Sequence, residues 1–412
     1  MEPLPHPRVQ HHCDPLSFLV EAAMTTLRLV LSCLTILFSL LLAACGTGDT
    51  RGTAATPSPT PPASGNPGPA GPGNAYKVTG PYAHDNLTIF LIHGPDKIKG
   101  KAYLSLQEAM AEKKVIVHET GNVNELTIEN VSNEDVYLQS GDIVKGGRQD
   151  RTIQNDLVLQ GKSGKVPLQA FCVESGRWSG RRGEESTAFA SSGNALASKN
   201  LKVAAKGASD QGAVWREVAH SQTKLAENAG GSVADARSAS SLQLSLENQK
   251  VQAATESYQK ELTQVVQGKP DVVGYAFAIN GKLNSIDIYA SNALFNKMWD
   301  KNLQAACIEA FAEFHQDAQY VTLKPEIVTA ALADAATGQA AEKSLNPRVK
   351  LISRESKYNW QYETYDNQAA APAHINILTR DPESEKLMQQ HNQPSRSTGN
   401  NLQINSPPTT QR

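Results

Sequence analysis

Short connections between successive β-type segments are the feature that most constrains the fold of this chain. The segments are rich in β-branched residues or alternate apolar with polar residues, and they cover 86–94, 114–119, 125–142, 152–159 and 165–174. Within 125–142, Leu126 and Ile128 alternate with polar residues before the turn sequence Ser-Asn-Glu-Asp, which predicts a hairpin. A parallel pair needs a crossover of a dozen or more residues, and these connections are too short. The N-terminal half is therefore predicted to be antiparallel and β-rich, with one short helix at 103–114.

A helical middle, a further β-hairpin and more helices follow. The predicted helices cover 213–229, 234–267, a segment capped by Ser291, and 324–338. Asn280-Gly281 predicts the two-residue turn of a hairpin over 271–290. Strands are predicted at 357–365 and 374–379. The fold class that these elements predict is a single α+β domain over 76–380.

The segment 24–44 has the features of a lipoprotein signal peptide. Arg28 supplies a positive charge, an apolar run follows, and small residues precede Cys45. Cleavage before Cys45 would leave its thiol to carry a diacylglycerol. An uncleaved membrane helix is the alternative, since the run is close to the length that spans a bilayer.

The other terminal segments are predicted to lie outside the folded domain. Residues 1–23 are interpreted as a mis-called extension, because Asp14 and Glu21 precede the charged start of the leader. The segment 45–75 begins with the lipidated cysteine and continues as a linker rich in proline and glycine, which favour an extended spacer. The polar segment 381–412 is predicted to be a disordered tail.

The predicted lipid on Cys45 would hold the domain at the cell membrane or outer membrane, facing the periplasm or the exterior. The lipid bilayer is then a predicted partner beside a possible small-molecule ligand, and protein partners stay unspecified. The formal net charge of -2 gives no basis for binding nucleic acid through bulk electrostatics.

Two cysteines remain in the predicted mature domain, because Cys13 and Cys33 are lost with the leader and Cys45 is lipidated. Cys172 and Cys307 could form a disulfide in an oxidising envelope, or they could be two buried free thiols. The histidines are scattered and lack the spacing of metal ligands, so no metal and no cofactor are predicted.

The sequence GDIVKGGRQDR at 141–151, named here the Gly/Arg hairpin, is the densest polar stretch. Gly146 and Gly147 can adopt positive φ and expose backbone N–H groups that would bind an anion. Arg148 and Arg151 could add bidentate contacts to a carboxylate or phosphate. The side chains that could bind hydroxyls are Asp142, Gln149 and Asp150. The alternative is an exposed turn with an internal Asp–Arg pair.

A second cluster follows at 171–182, where Glu174, Arg177 and Trp178 stand together. A carboxylate, a guanidinium and an aromatic ring suit a sugar or nucleotide, because the ring stacks and the charges orient. The alternative is a tryptophan that covers the edge of the core with Arg177 stacked on it. The Gly-, Ser- and Ala-rich segment 179–208 is interpreted as a loop that closes the site as a lid.

Three stretches, GDIVKGGRQDRT, VPLQAFCVESGRW and VVGYAFAINGKLNSIDIYASNALFNKMW, resemble the ARG and Rhodanese-Phosphatase-superfamily-associated protein domain family in order and spacing. The resemblance covers roughly residues 80–380. It implies that the family's motif positions are occupied by Gly141, Asp142, Gly146, Gly147, Gln149, Arg151, Glu174, Arg177 and Trp178. The family name reflects association with ADP-ribosylglycohydrolase-type and phosphatase-type domains, which implies ADP-ribose or nucleotide-related chemistry. The predicted lipoprotein leader does not fit nucleotide-related chemistry, because the envelope holds little free NAD or ADP-ribose.

Three function classes follow. The first is a membrane-tethered module that binds a small anionic or sugar-like ligand between the Gly/Arg hairpin and the 174–178 segment. Its predicted ligand-binding residues are Asp142, Gly146, Gly147, Gln149, Arg151, Glu174, Arg177 and Trp178. The second is a hydrolase of nucleotide-like or glycan substrates with Glu174 or Asp142 as general base, which requires a shifted carboxyl pKa. The third is a structural or partner-binding lipoprotein, which predicts an exposed apolar patch.

Overall fold

Antiparallel pairing dominates the computed structural model, which describes residues 76–181, 186–316 and 318–392. The strands are β1 (Lys77–His84), β2 (Leu87–His93), β3 (Leu104–Ser105), β4 (Val115–Asn122), β5 (Glu125–Asn130), β6 (Val136–Leu138), β7 (Asp142–Gly146), β8 (Arg151–Ile153), β9 (Leu157–Leu159), β10 (Gly164–Cys172), β11 (Phe189–Ala195), β12 (Val272–Ile279), β13 (Lys282–Tyr289), β14 (Gln339–Ser344), β15 (Val349–Glu355), β16 (Asn359–Asp366) and β17 (Ala371–Thr379). These strands and the helices below confirm the predicted α+β class and the β-rich N-terminal half.

The helices gather mainly in the middle of the chain. They are α1 (Leu106–Ala111), α2 (Lys199–Lys202), α3 (Gln211–Asn228), α4 (Leu242–Leu246), α5 (Gln249–Leu262), α6 (Asn292–Ala312), α7 (Glu326–Ala336) and α8 (Pro382–Asn392). A π-helical turn at Val203–Gly207 follows α2, and a 3-10 turn at Thr263–Val266 follows α5. Ser291 caps α6 as predicted, because its side chain accepts a hydrogen bond from the Leu294 N–H.

An eight-stranded antiparallel sheet in the order β1-β2-β12-β13-β17-β16-β15-β14 carries the main core. Its residues are buried on both faces: Leu91 packs in one apolar cluster with Trp299 of α6, and Phe90 packs in another with Val328 of α7. The predicted hairpin β12–β13 is confirmed, with Asn280 and Gly281 both at positive φ in its turn. The sheet therefore lies between α6 and α7.

The N-terminal half forms a six-stranded sheet in the order β11-β7-β8-β10-β5-β4 and a three-stranded sheet in the order β3-β6-β9. The hairpin predicted within 125–142 is wrong, because β5 pairs with β4 and β10 while β6 pairs with β3 and β9. The Asn130 side chain donates to the Glu134 carbonyl and turns the chain away between the two strands. β5 thus pairs with its neighbour β4 and with distant β10, and β6 pairs with β3 and β9.

Three further predicted elements differ in the structure. The loop expected as a lid at 179–208 is wrong, because β11, which pairs with β7, and also α2 and the π-helical turn lie within it. The helix expected over 234–267 starts only at 242 and breaks between α4 and α5. The tail expected from 381 contains α8, whose Leu387 is buried, and residues after 392 lie outside the described part of the chain.

Candidate functional site

The backbone N–H groups of the Gly/Arg hairpin bond to acceptors within the protein and do not form an exposed anion site. Gly146 and Gly147 do have positive φ, 115° and 56°, as predicted. Their N–H groups donate to Asp150 Oδ1 at 3.0 Å and to the Ala188 carbonyl at 2.9 Å. A Cβ on Gly147 would lie 2.2 Å from the Phe189 ring, so this glycine allows β11 to pack closely against the hairpin. The predicted anion donors are thus occupied by the protein itself.

Two buried Arg–carboxylate pairs lie where the Gly/Arg hairpin meets residues 174–181. Arg177 donates to both oxygens of Glu174 at 2.6 and 2.8 Å, and Arg181 donates to both oxygens of Asp150 at 2.6 and 2.7 Å. The Asp150 N–H also donates to Glu174 Oε2 at 3.1 Å. The Gln149 side-chain amide completes this junction by donating to the Glu174 carbonyl at 3.1 Å.

The pairing sets the protonation of these carboxyl groups. Burial would raise the pKa of Glu174, but the hydrogen bonds from Arg177 and the Asp150 N–H outweigh it and lower the pKa. Burial raises the pKa of Asp150 in spite of Arg181. A carboxylate whose two oxygens are both held by a guanidinium is a poor general base, so these contacts do not favour the hydrolase role of Glu174.

Trp178 covers the outer side of this junction. It is 41% exposed, and the guanidinium groups of Arg148 and Arg151 each lie 5.5 Å from its ring centroid. Arg151 itself is fully buried; its Nη1 donates to the Gln149 carbonyl, while its Nε and Nη2 have no hydrogen-bond partner among the described residues. The nearest carboxylate, Glu119, lies 3.8 Å from Nη2.

Asp142 lies apart from these contacts. Its side chain forms an ion pair with Lys301 of α6 and accepts a hydrogen bond from the Gln139 N–H. The structure therefore brings together Gly146, Gly147, Gln149, Arg151, Glu174, Arg177 and Trp178, but directs Asp142 to a different neighbour.

A cleft of about 660 Å³, named here the strand-end cleft, lies elsewhere in the fold. It is bounded by α2 and α3, the β12–β13 turn, the ends of α6 and β17, α7 and the start of α8, and its floor is apolar through Leu201, Leu225, Leu242, Leu246 and Ile308. None of the residues predicted as ligand-binding lines it. Because its walls come from segments far apart in the chain, no local motif signals it.

Glu309 of α6 is the most buried carboxyl group of this cleft. It is 7% exposed, and its Oε1 accepts hydrogen bonds from the Lys199 N–H and from the Asn284 amide, each at 2.9 Å. Burial raises the pKa of Glu309. The sequence signal was a single acidic residue inside the apolar run Cys-Ile-Glu-Ala-Phe, which sequence reasoning missed.

Two asparagines among the residues that line the strand-end cleft each have a buried amide oxygen without a hydrogen-bond donor. Asn284 is 8% exposed and Asn359 is 2% exposed, and the Oδ1 atom of each has no partner within the part of the chain that the structure describes. The nitrogen of the Asn359 amide is fixed, since its Nδ2 atom donates to Asp334 Oδ2 at 2.7 Å. Buried polar groups without partners are uncommon, and an ordered water or ion is one of the explanations for them.

A second buried charge network surrounds His374 in the main sheet. Its Nδ1 lies 2.7 Å from Asp156 Oδ2, its Nε2 lies 3.2 Å from Asp287 Oδ1, and Tyr289 stacks on its ring at 4.5 Å. Burial would lower the pKa of His374, but the two carboxylates outweigh it and raise the pKa. None of these residues lines the strand-end cleft.

Cys172 and Cys307 are free and buried, so the structure has the free-thiol alternative and not the disulfide. Burial raises the pKa of Cys172 to about 11 and that of Cys307 to about 12, which leaves both thiols protonated at neutral pH. Among the described helices, none is both long and apolar enough to cross a bilayer.

The family model of the ARG and Rhodanese-Phosphatase-superfamily-associated Protein domain matches residues 75–371. The chain belongs to this family. No curated protein and no solved structure gives a significant match. The family domain contains the Gly/Arg hairpin and also Lys199, Asn284, Glu309 and Asn359 of the strand-end cleft. Thr379 and Asp381, which close the cleft, lie beyond the matched residues.

Proposed function

We propose that this domain binds a small organic ligand in the strand-end cleft. The observation that carries the proposal is an apolar floor beside the buried carboxyl group of Glu309 and two buried asparagines, Asn284 and Asn359, whose Oδ1 atoms lack hydrogen-bond partners among the described residues. Ligand sites are typically clefts of about 300–1,000 Å³ with apolar walls and a few convergent polar groups. The volume and lining of this cleft fit that description.

The Gly/Arg hairpin supports a second candidate, the binding of an anionic or sugar-like ligand beside Trp178. The observation in its favour is the buried guanidinium of Arg151, whose Nε and Nη2 have no hydrogen-bond partner among the described residues. A buried donor without a partner is costly, and a bound anion would relieve that cost. The internally bonded N–H groups of Gly146 and Gly147 weigh against it, so the cleft ranks first.

Thermal and chemical unfolding of the full-length protein in detergent, against amines, carboxylates, sugars, nucleotides and ADP-ribose, tests both candidates. A ligand at a hundred times its Kd stabilises the protein by about 2.7 kcal/mol. Ala330 is exposed and lines the strand-end cleft, so Ala330→Trp should fill the cleft without disturbing the core. We expect the stabilisation to be lost in Ala330→Trp and kept in Arg148→Ala.

The reverse pattern, with stabilisation lost in Arg148→Ala and kept in Ala330→Trp, would move the site to the Gly/Arg hairpin. Stabilisation that survives both substitutions, or no stabilisation by any compound, would contradict both candidates. Glu256→Gln serves as the matched control, because Glu256 is exposed on α5 and does not line the cleft.

We further propose that the domain is held at an envelope membrane by lipid on Cys45. The support is the leader sequence 24–44 with small residues directly before Cys45. Metabolic labelling with a radioactive fatty acid should label the native protein and should fail for Cys45→Ala, which should also leave the membrane fraction. Equal labelling of both proteins would refute the anchor.

A further inference from the structure

A hydroxyl, an imidazole and a carboxylate form a hydrogen-bonded chain, named here the β1-edge triad. Oγ1 of Thr79 lies 2.7 Å from Nε2 of His93, and Nδ1 of His93 lies 3.0 Å from Oδ1 of Asp271. An ionised carboxylate only accepts hydrogen bonds, so Nδ1 carries the ring proton toward Asp271. In the neutral imidazole, Nε2 is then the nitrogen that accepts the proton of the Thr79 hydroxyl.

The pairing of three neighbouring strands brings these residues together. β2 lies between β1 and β12, and His93 on β2 is opposite Lys77 on β1. Thr79 comes two positions after Lys77, so its side chain leaves the same face of the sheet as that of His93. Asp271 directly precedes β12, and its carbonyl accepts a hydrogen bond from the Gly94 N–H at 2.9 Å, which holds it beside the end of β2.

A β-bulge directly follows the hydroxyl residue of the triad. Thr79 is opposite Leu91 and Tyr82 is opposite Ile89, so three steps along β1 face two along β2. Gly80 in this bulge has a φ of 119°, and a Cβ there would lie 2.9 Å from the Ile89 carbonyl oxygen, so the bulge needs glycine. Bulges are frequent next to active sites, where they re-aim a side chain.

Donors that can stabilise negative charge lie beside the Thr79 hydroxyl. β1 ends the sheet, and within the described residues no other strand pairs with its outer side. N–H groups alternate between the two sides of a strand, so an outward N–H belongs either to Thr79 or to its neighbours Val78 and Gly80. Lys77 adds a positive charge on the face that carries His93. An oxyanion that forms next to Thr79 therefore has donors within reach.

The triad is reachable from solvent and is separate from the sites described above. Thr79 and His93 are half-buried, and the side chain of Asp271 is 64% exposed. None of the three lines the strand-end cleft. A polar contact that only joined β1 to β2 would need the bond between Thr79 and His93, but it would not need a carboxylate at the other ring nitrogen.

We propose that Thr79 is a nucleophile that takes an acyl group from small carboxylic esters, with His93 as general base and Asp271 as the residue that positions the ring. Oγ1 of Thr79 bonds to the ester carbonyl carbon while Nε2 of His93 takes the hydroxyl proton. The bond from that carbon to the alcohol oxygen then breaks, and His93 gives the proton to the leaving alcohol. Water, deprotonated by His93, attacks acyl-Thr79 in the same way and releases the carboxylic acid.

The order and the distances of the three groups carry this inference. An activated nucleophile is recognised by a base about 2.6–3.2 Å away that is itself oriented by a third group, and the β1-edge triad has this arrangement. Small esters are the expected substrates because the triad lies at an edge of the sheet, where a compact carbonyl group can approach Thr79. The inference is independent of the ligand proposed for the strand-end cleft.

Reaction of the full-length protein with p-nitrophenyl acetate tests this inference through two readouts, the release of p-nitrophenolate and the mass of the peptide that contains Thr79. We expect one acetyl group on Thr79 and continued hydrolysis. Thr79→Val should abolish both, because valine keeps the branched shape without the hydroxyl, and Thr79→Ser should keep both. His93→Gln should slow acetylation about 100-fold or more, the usual contribution of a general base.

The positioning role of Asp271 is tested by measuring kcat and KM separately. Asp271→Asn should lower kcat about tenfold and leave KM unchanged, because the ring loses the charged acceptor that orients it. Asp271→Glu should restore part of kcat. His315→Gln is the control for direct reaction of an exposed imidazole, since His315 is exposed and its hydrogen bonds to Tyr320 are made by its backbone. It should change neither constant.

Three results would overturn the inference. They are the absence of acetyl from the Thr79 peptide, hydrolysis that Thr79→Val leaves at the wild-type rate, and acetylation of Thr79 that His93→Gln leaves unchanged. If Thr79→Val fails to fold, Thr79→Ser and His93→Gln still decide the point. Acetylation kept in the first and lost in the second supports the nucleophile, and acetylation lost in both or kept in both contradicts it.

Discussion

At the residue scale, the two charged residues Glu174 and Arg177 of the motif neutralise each other in an ion pair. The side chain of Arg177 is 10% exposed and that of Glu174 is fully buried. Removal of one partner from a buried pair typically costs about 3–5 kcal/mol, because the other charge stays buried and unpaired. We therefore expect Arg177→Met to lower the free energy of unfolding by that amount, and Glu174→Gln with Arg177→Met to recover most of it.

Urea unfolding measures this effect, and the exposed pair Asp235–Arg237 supplies the control. The side chain of Arg237 is 54% exposed, so Arg237→Met should change the free energy of unfolding by less than about 1 kcal/mol. Equal effects of the two substitutions would show that the motif pair is not a buried structural contact.

His374 gives a pH-dependent prediction at the same scale. The groups that face it are Asp156 and Asp287, with Lys206 3.7 Å from Asp156 and Tyr289 stacked on the ring. Because the pKa of His374 is raised above 6.5, its ion contacts stabilise the fold fully below about pH 6.5 and are lost as the pH rises through the higher folded value. The stability difference between wild type and His374→Gln should therefore shrink above pH 6.5. A difference that stays constant between pH 6 and pH 9 would contradict this assignment.

At the element scale, the sequence predicts pairings that depend on local chemistry and misses those that depend on distant partners. Asn280-Gly281 predicts β12–β13 because a two-residue turn at positive φ fixes the hairpin by itself. β11 is missed because its small residues Ala-Ser-Ser-Gly carry no strand pattern and pair only when β7 is present. The hairpin predicted within 125–142 fails for the same reason, since distant β10 and β9 provide the better partners.

The packing of β11 on the Gly/Arg hairpin requires a residue without a Cβ at position 147, which Gly147 provides. A Cβ there meets the Phe189 ring at 2.2 Å in addition to the strain of φ 56°. Gly164 has a similar φ of 62°, but no atom lies within 4 Å of its added Cβ. Gly164→Ala should cost about 1–2 kcal/mol from the backbone alone, and Gly147→Ala should cost more. If urea unfolding shows an equal loss in the free energy of unfolding for both substitutions, the Phe189 ring moves away from the added Cβ without cost.

At the scale of the whole molecule, the two candidate sites differ in how far their residues are spread along the chain. The Gly/Arg hairpin and its arginine pairs fall within 141–181, so the motifs in the sequence point to them directly. The strand-end cleft joins Lys199, Asn284, Glu309 and Asn359, which only the folded sheet and helices bring together. Composition and periodicity predict the elements that carry these residues, but not the order of the eight strands that makes them neighbours.

The last helix, α8, ties the end of the chain into that arrangement. Leu387 is buried in one cluster with Val203, Trp360, Tyr362 and Leu378, and Asp381 just before α8 forms the ion pair with Lys199 at the cleft. Ending the chain after Arg380 should therefore cost about 2–5 kcal/mol, the range for loss of one large buried side chain, and should weaken any ligand bound in the cleft. Ending it after Asn392 should leave the free energy of unfolding unchanged, because the sequence beyond is predicted to be disordered. Urea unfolding of both shortened chains decides the point. If the chain that ends at Arg380 were as stable as the full-length protein, α8 would not belong to the cooperative fold, and Asp381 and Glu383 would cease to be credible walls of the strand-end cleft.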